Sequence, residues 1–294
     1  MSAVLTIVRP GPLSLVEDLG RPGFADLGVG RSGAADRGAL ALANRLVGNA
    51  DSAAGIEVTL GGLVLTTSEP VLLSITGAPA HPAEPTGVAM NQSFTLMPGE
   101  RLRLTTPRTG LRTYLAVRGG LDVPQVLGSR STDVLARLGP ERLHDGARLE
   151  VGPRPAGDVP PVDVAPVAAL SEGIVVLDCW PGPRDDWFEP AAMASMEHDV
   201  RTVSTDLDRV GIRLQGDPLE RVVRTELPSE GMVRGGVQVP ANGQPIIFAA
   251  DHPSTGGYPV IAVLTEAASD LAAQLRPGQK VCFRVFLSQG PSHI

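Results

Sequence analysis

Between the apolar runs PIIFAA and VIAVLT lies the nine-residue stretch DHPSTGGYP, residues 251–259. It holds the carboxylate of Asp251, the imidazole of His252, the hydroxyls of Ser254, Thr255 and Tyr258, and a glycine pair. His252 can move a proton near neutral pH, and Asp251 is its natural catalytic companion. Upstream, Gln238 and Gln244 in GGVQVPANGQP add primary amides, which both donate and accept and so suit an amide, urea or lactam. Gly256-Gly257 allows either a positive φ or close backbone approach. The residues are therefore expected to bind substrate through Gln238, Gln244, Thr255 and Tyr258 and to act chemically through Asp251 and His252. The bland alternative is a polar hairpin end closed by a Gly-Gly turn.

A second cluster lies near the start of the chain. VEDLGRPG sets Glu17, Asp18 and Arg21 around a glycine turn. Either the acid and the arginine lock the loop, or Arg21 clamps a planar anion with its fork of donors. GVGRSG, residues 28–33, is a literal G-x-G-x-x-G that opens a helix, but EDLGRPGFADL before it is broken by Pro and Gly and no βαβ unit follows, which excludes a dinucleotide fold. Arg31 and Ser32 beside that helix start either hold a carboxylate or phosphate or simply cap the helix. The chain has no Walker A loop, no G-x-S-x-G elbow and no His/Cys spacing for a metal.

The elements that must carry these residues are mostly strands. The 294 residues include 34 Gly and 27 Pro, are 43% hydrophobic and 3% aromatic, and carry a formal charge of −7. That composition fits a folded protein rich in turns and argues against nucleic acid or an anionic membrane surface as partner. With neither a long apolar run nor a signal-peptide pattern, a soluble, cytoplasmic location is expected, with Cys179 and Cys282 as reduced core thiols. Residues 1–33 read as turn-rich. A helix follows over AADRGALALANRLVG, with Ser32 as N-cap and Gly48 as its stop. From Gly55 the period is two: LVLTT, VLLSIT, SFTLM, RLRLTT, TYLAV and ARLEV read as strands. GPRPAGDVPPVDVAP reads as a linker. Beyond it come the strands GIVVLD, RTVS, RVGIRLQG, GGVQV, PIIFAA, VIAVLT and KVCFRVF, with helices near 188–198, where Pro190 suits a first turn, and at AASDLAAQL. Asp36-Arg37 ahead of Pro98-Gly99 is echoed by Asp208-Arg209 ahead of Pro277-Gly278, which suggests two related β-rich units.

The pieces EDLGRPGFADLGVGRSGAADRGALALANRLVGN, GIEVTLGG, LDRVGIRL and GGVQVPANGQPI…DHPSTGGYPVIAV resemble, in order, the family known as allophanate hydrolase subunit 2, KipA-like, biotin-dependent carboxyltransferase-like or 5-oxoprolinase C-type subunit. The resemblance implies an all-β fold with a few short helices, built as two cyclophilin-like β-barrel units: residues 1–151, a linker at 152–170, and residues 171–294. It implies a subunit 1 (KipI-like) partner in a hetero-oligomer and, in the 5-oxoprolinase system, a LamB/YcsF-like third protein and ATP-dependent opening of a lactam. It also carries two alternatives: CO₂ transfer to a urea-like amide from biotin on a separate carrier, and a non-enzymatic KipA-like regulatory role. The family often reads Asp-Arg-Gln-Thr-Thr-Gly-Gly-Tyr-Pro where this chain has DHPSTGGYP. His252 thus stands where an arginine would be permanently charged.

Overall fold

The computed structural model describes residues 2–155 and 157–286, and the chain divides into two compact units. The first comprises residues 1–22 and 31–170; the second comprises residues 23–30 and 171–294.

In the first unit the strands are β1 (Val4–Arg9), β2 (Leu13–Glu17), β3 (Gly55–Thr59), β4 (Val64–Thr67), β5 (Val71–Gly77), β6 (Pro82–Glu84), β7 (Ser93–Leu96), β8 (Arg101–Leu104), β9 (Arg112–Val117) and β10 (Arg148–Glu150). They form two five-stranded sheets, β10-β1-β4-β8-β6 and β2-β3-β9-β5-β7. Leu5, Ile7, Ile56, Leu65, Leu73 and Leu102 fill the core between them. The turn-rich reading of residues 1–33 is corrected here, because VLTIVR and LSLVE are strands of different sheets. The intervening PGP is the corner where the chain changes sheet. Gly11 there has φ +76°, and a Cβ on it would sit 2.3 Å from the carbonyl oxygen of Gly61, at the matching corner between β3 and β4. The chain turns between sheets at such corners, so this unit is a pair of sheets and not a closed ladder.

Helix α1 (Arg37–Leu46) packs on β5 and β9, with Leu40, Ala43 and Val47 against Tyr114 and Ala116. With core on one face and helix on the other, every residue of β9 is buried. The N-cap is Asp36, not Ser32: its side chain accepts from the Ala39 N–H at 2.9 Å. Ser32 instead has φ 54°. The helix start is fixed from below. The Tyr114 hydroxyl accepts from the Asp36 N–H at 2.7 Å and donates to Glu57 Oε2 at 2.8 Å. That same oxygen accepts from the Ala35 N–H at 2.9 Å, and Arg112 Nε lies 3.3 Å from Glu57 Oε1. Burial, and then the negative charges of Glu57 and Asp36, push the Tyr114 hydroxyl well above the usual phenol range.

The segment expected as a linker, 152–170, is bound along this unit. Arg118 donates to the carbonyls of Val47 (2.8 Å), Pro155 (3.2 Å) and Gly157, and the Ala165 N–H donates to Asn91 O at 2.8 Å. Its prolines lack the N–H for a ladder, and a guanidinium supplies the missing donors from outside.

The second unit contains β11 (Val175–Pro181), α2 (Pro190–His198), β12 (Arg201–Leu207), β13 (Gly211–Gln215), β14 (Glu230–Gly231), β15 (Gly236–Gln238), β16 (Ile246–Phe248), β17 (Thr255–Gly256), β18 (Val260–Leu264), α3 (Glu266–Ala272) and β19 (Lys280–Val285). Seven of these strands close a barrel in the order β11-β18-β15-β16-β13-β12-β19. Leu177, Val203, Ile212, Val237, Ile261 and Phe283 point inward. Cys179 lies inside too, and burial pushes its thiol up to about 12, while Cys282 is half-buried on the outer side; both are free. Among the described residues, no helix is long and apolar enough to cross a membrane.

Candidate functional site

The stretch 251–259 leaves the end of β16 and runs along the outside of the barrel wall as a strap. It begins on a buried ion pair. Asp208 Oδ1 accepts the N–H groups of Val210 (2.7 Å) and Gly211 (3.0 Å), a tight turn that sets Arg209 at the entrance to β13. The Asp251 N–H donates to Arg209 O at 2.8 Å, and the Arg209 guanidinium grips the carboxylate with both prongs, Nε to Oδ2 at 2.8 Å and Nη2 to Oδ1 at 3.0 Å. The two side chains are 2% and 0% exposed. Asp251 is thus committed to a charge-assisted fork, which fits a positioning role better than a base exchanging protons with a substrate.

His252 follows directly. Its ring stacks on Phe248, with centroids 5.8 Å apart at 27°, and Nδ1 lies 2.8 Å from Pro253 O. Nδ1 must carry the proton to donate to that carbonyl, so the basic lone pair falls on Nε2. The loop 23–30 of the same unit approaches here: a Cβ on Gly30 would lie 3.2 Å from His252 O.

Further on, β17 pairs with β14, whose Glu230 is held by Arg184; that guanidinium's hydrogen bond keeps the Glu230 carboxyl below its usual range. Beneath the strap lies a small apolar patch of Met232, Phe248 and Val260. Gln238 shares this layer. It is 5% exposed, and its Nε2 donates to Tyr258 O at 3.0 Å and lies 3.8 Å from Met232 Sδ. The Gln244 amide is likewise spent on the chain, accepting from Gly216 N (3.1 Å) and donating to Gly216 O (3.0 Å). The register separates these groups. Phe248, next to Gly211, leads to Asp251 at one end of the β13–β16 ladder, whereas Ile246, opposite Arg213, follows Gln244 at the other. The sequence-nominated residues of this unit therefore do not converge on one point. Asp251 and His252 form a corner, Gln238 fastens the strap, Gln244 ties a distal turn, and Thr255 and Tyr258 are exposed, Tyr258 at 47%.

A Cβ on Gly256 would come 2.7 Å from Gln238 Nε2 and 3.2 Å from Met232 Cγ and Sδ. Gly256→Ala is therefore expected to cost about 1–2 kcal/mol by displacing the amide from Tyr258 O. In a Gln238→Ala background the same change should cost distinctly less, and urea unfolding of the four proteins in this cycle measures the coupling.

In the first unit, Arg21 is buried and donates to Ser131 O and, at 3.4 Å, to Val126 O, with Nη1 3.7 Å from Asp133 Oδ2. Arg21 is therefore not an exposed clamp, and the pairing expected with the acids beside it is corrected: its ion pair is with Asp133, and Asp18 is bonded instead to the 129–131 loop. Arg31 is exposed with Nε donating to Leu19 O at 3.1 Å, and Ser32 Oγ is 3.4 Å from Thr132 O. Sequence alone shows Asp18 only as a neighbour of Arg21 and gives no sign of Arg130, yet Asp18 organises this turn. Both line a cleft of about 360 Å³ with Gly20, Gly119, Gly120 and Gln125. Among the described residues no cluster of His, Cys, Asp and Glu could hold a metal ion.

Comparison with known proteins places this architecture. Residues 27–285 match the family described as carboxyltransferase domain, subdomain A and B. The chain belongs to this carboxyltransferase family. It is 38% identical to the 5-oxoprolinase C-type subunit of Escherichia coli K12 over 95% of its own length and 90% of the relative's. It is 30% identical to the urea amidolyase of Lachancea kluyveri over 94% of its length, but there it spans only 16% of the relative. Among solved structures, TTHA0988 superposes with a TM-score of 0.87 at 35% identity, this chain covering 55% of that one. The Kluyveromyces lactis urea amidolyase gives a TM-score of 0.89 at 27% identity, with 18% of that chain covered. This carboxyltransferase-family chain thus spans about half, or less, of those solved proteins. The largely β architecture with its closed barrel is shared with them.

Proposed function

We propose that this chain is the C-type subunit of a 5-oxoprolinase-like complex, in which it helps to open a lactam or amide C–N bond with a KipI-like subunit 1 and a LamB/YcsF-like third protein. The observation that carries this reading is the near end-to-end match to the 5-oxoprolinase C-type subunit of E. coli, set against a match to a minor part of the urea amidolyases. A cytoplasmic location accords with it. In this reading His252 moves a proton at Nε2, oriented by the Phe248 ring and the Pro253 carbonyl. The Arg209–Asp251 fork fixes the corner that holds His252, which is itself buried at 8% exposure. Thr255 and Tyr258, exposed on the strap, are the groups of the stretch placed to contact a substrate amide or the partner.

ATP is the activating reagent such a lactam opening requires. The corner offers it no cradle: Arg209 is buried in a fork with Asp251, and the chain has no Walker A loop. The amide-activating surface is then a property of the assembled complex.

The test is co-expression with subunit 1 and the third protein, followed by an assay for ATP-dependent glutamate release from 5-oxoproline. Release is expected. His252→Gln is expected to lower kcat about 100-fold or more, with a loss of stability of only about 1 kcal/mol from the ring's stacking on Phe248, far too small to unfold the chain. A verified complex that releases no glutamate would overturn the reading. The urea amidolyase relatives favour a second one, CO₂ transfer from a biotinylated carrier protein to a urea-like amide. Carboxylation of urea by the same preparation, in the absence of glutamate release, would select it.

A further inference from the structure

The outer wall of the barrel at β11 and β19 has no role in the strap or the corner, yet it is built like a contact surface. The two strands run parallel with Val176 beside Cys282 and Asp178 beside Arg284. Alternation turns Val175, Leu177 and Cys179 into the core and leaves Val176, Asp178 and Trp180 outside. Ile174, Val176 and Trp180 are 50%, 46% and 47% exposed. Trp180 lies against Phe286, ring centroids 5.3 Å apart.

The polar row at the middle of this face is internally neutral and held in place. Arg284 binds Asp178 through two contacts of 2.7 Å, and its Cζ sits 5.5 Å from the Phe286 centroid. The Phe286 N–H is in turn anchored to Cys179 O at 2.8 Å. Side chains fixed before contact lose little entropy on association.

We propose that this face is the isologous interface of a homodimer. A two-fold interface requires a patch complementary to itself. An axis lying in the interface, parallel to the strands and between β11 and β19, places β11 of one copy over β19 of the other in the same direction. Asp178 then faces Arg284 of the second copy, and Arg284 faces its Asp178. Trp180 faces Phe286, and Val176 faces Cys282. Every row thus meets its chemical complement, with two acids and two arginines alternating at the centre. A partner of strongly positive or negative surface gains nothing from a row whose charges already cancel, whereas a second copy keeps every charge paired as it covers the aromatic pair.

The inference does not depend on the proposed reaction and is tested on the purified chain alone by sedimentation equilibrium. The wild type is expected to dimerise. Trp180→Glu should weaken dimerisation by about 30-fold or more, as for an interface hot spot. Asp178→Arg and Arg284→Asp should each weaken it, and the double variant D178R/R284D should restore it, all with unchanged circular dichroism. A wild type that stays monomeric throughout would overturn the proposal, and so would a Trp180→Glu variant that remains dimeric. If the wild type is monomeric and Trp180→Glu instead abolishes capture of purified subunit 1, the face belongs to that partner and the homodimer is equally overturned.

Discussion

Asp251→Ala is expected to lower the unfolding free energy by about 3–5 kcal/mol, because it strands the Arg209 guanidinium in a buried position without the carboxylate it now grips with both prongs. The measurement is the urea unfolding midpoint of the purified chain. Removing both charges is a different experiment: Arg209→Met with Asp251→Leu takes out the desolvation cost along with the attraction, and the pair should recover most of the loss. If Asp251 served mainly as a catalytic base, the single variant would instead fold with a near-normal midpoint and fail only in turnover. The distinction governs how activity data are read. A dead Asp251→Ala complex says nothing about proton transfer, whereas a folded, inactive His252→Gln complex does.

The same pair shows where the sequence is legible and where it is not. DHPSTGGYP stands out by composition, and LDRVGIRL by resemblance, but the two lie 42 residues apart and the fork between them is a product of the β13–β16 ladder. Period-two patterning reveals strands and is blind to which strand pairs with which. The two glutamines illustrate the other limit. Their amides suit a lactam, but the strap and the turn at Gly216 contain backbone groups that need partners, and Gln238 and Gln244 meet that need first. Strands β11 and β18 are readable as short apolar runs rich in β-branched residues, and β19 by its alternation. β1 and β2 are hidden because the PGP between them reads as loop, although it is a sharp corner between sheets. The helix cap falls four residues beyond its expected place, at Asp36 and not Ser32, because the partners that set it, Tyr114 and Glu57, lie far along the chain. The internal echo holds in part. Pro98-Gly99 and Pro277-Gly278 both turn into a strand, but Asp36 caps a helix while Asp208 shapes a turn before β13.

In the first unit the strongest expected effect falls on Asp18, whose role beyond its proximity to Arg21 is invisible in the sequence. Its Oδ1 accepts from the Gly20 N–H at 2.7 Å and from the hydroxyls of Ser129 and Ser131, each at 2.6 Å, while Oδ2 accepts from the Arg130 N–H at 2.6 Å. One carboxylate therefore satisfies four donors and joins the 18–21 turn to the 129–133 loop, whose Ser131 carbonyl in turn receives Arg21. Asp18→Ala leaves those donors buried without an acceptor and is expected to cost about 4 kcal/mol, at the upper end for a single substitution. Asp18→Asn keeps the shape and one acceptor oxygen but turns an NH₂ toward a donor, so an intermediate loss of about 2 kcal/mol is expected. Arg31→Ala, which removes one exposed hydrogen bond in the same neighbourhood, should cost less than about 0.5 kcal/mol. Thermal unfolding of the three variants gives the ranking, and amide hydrogen exchange over residues 126–133 shows whether the loss begins in that loop. Equal costs for Asp18→Ala and Arg31→Ala would mean that the turn is held by its backbone and that the carboxylate is dispensable. The expected order makes Asp18 the group that fixes one wall of the 360 Å³ cleft, since it and Arg130 line that cleft and are joined through the bond that Asp18 accepts.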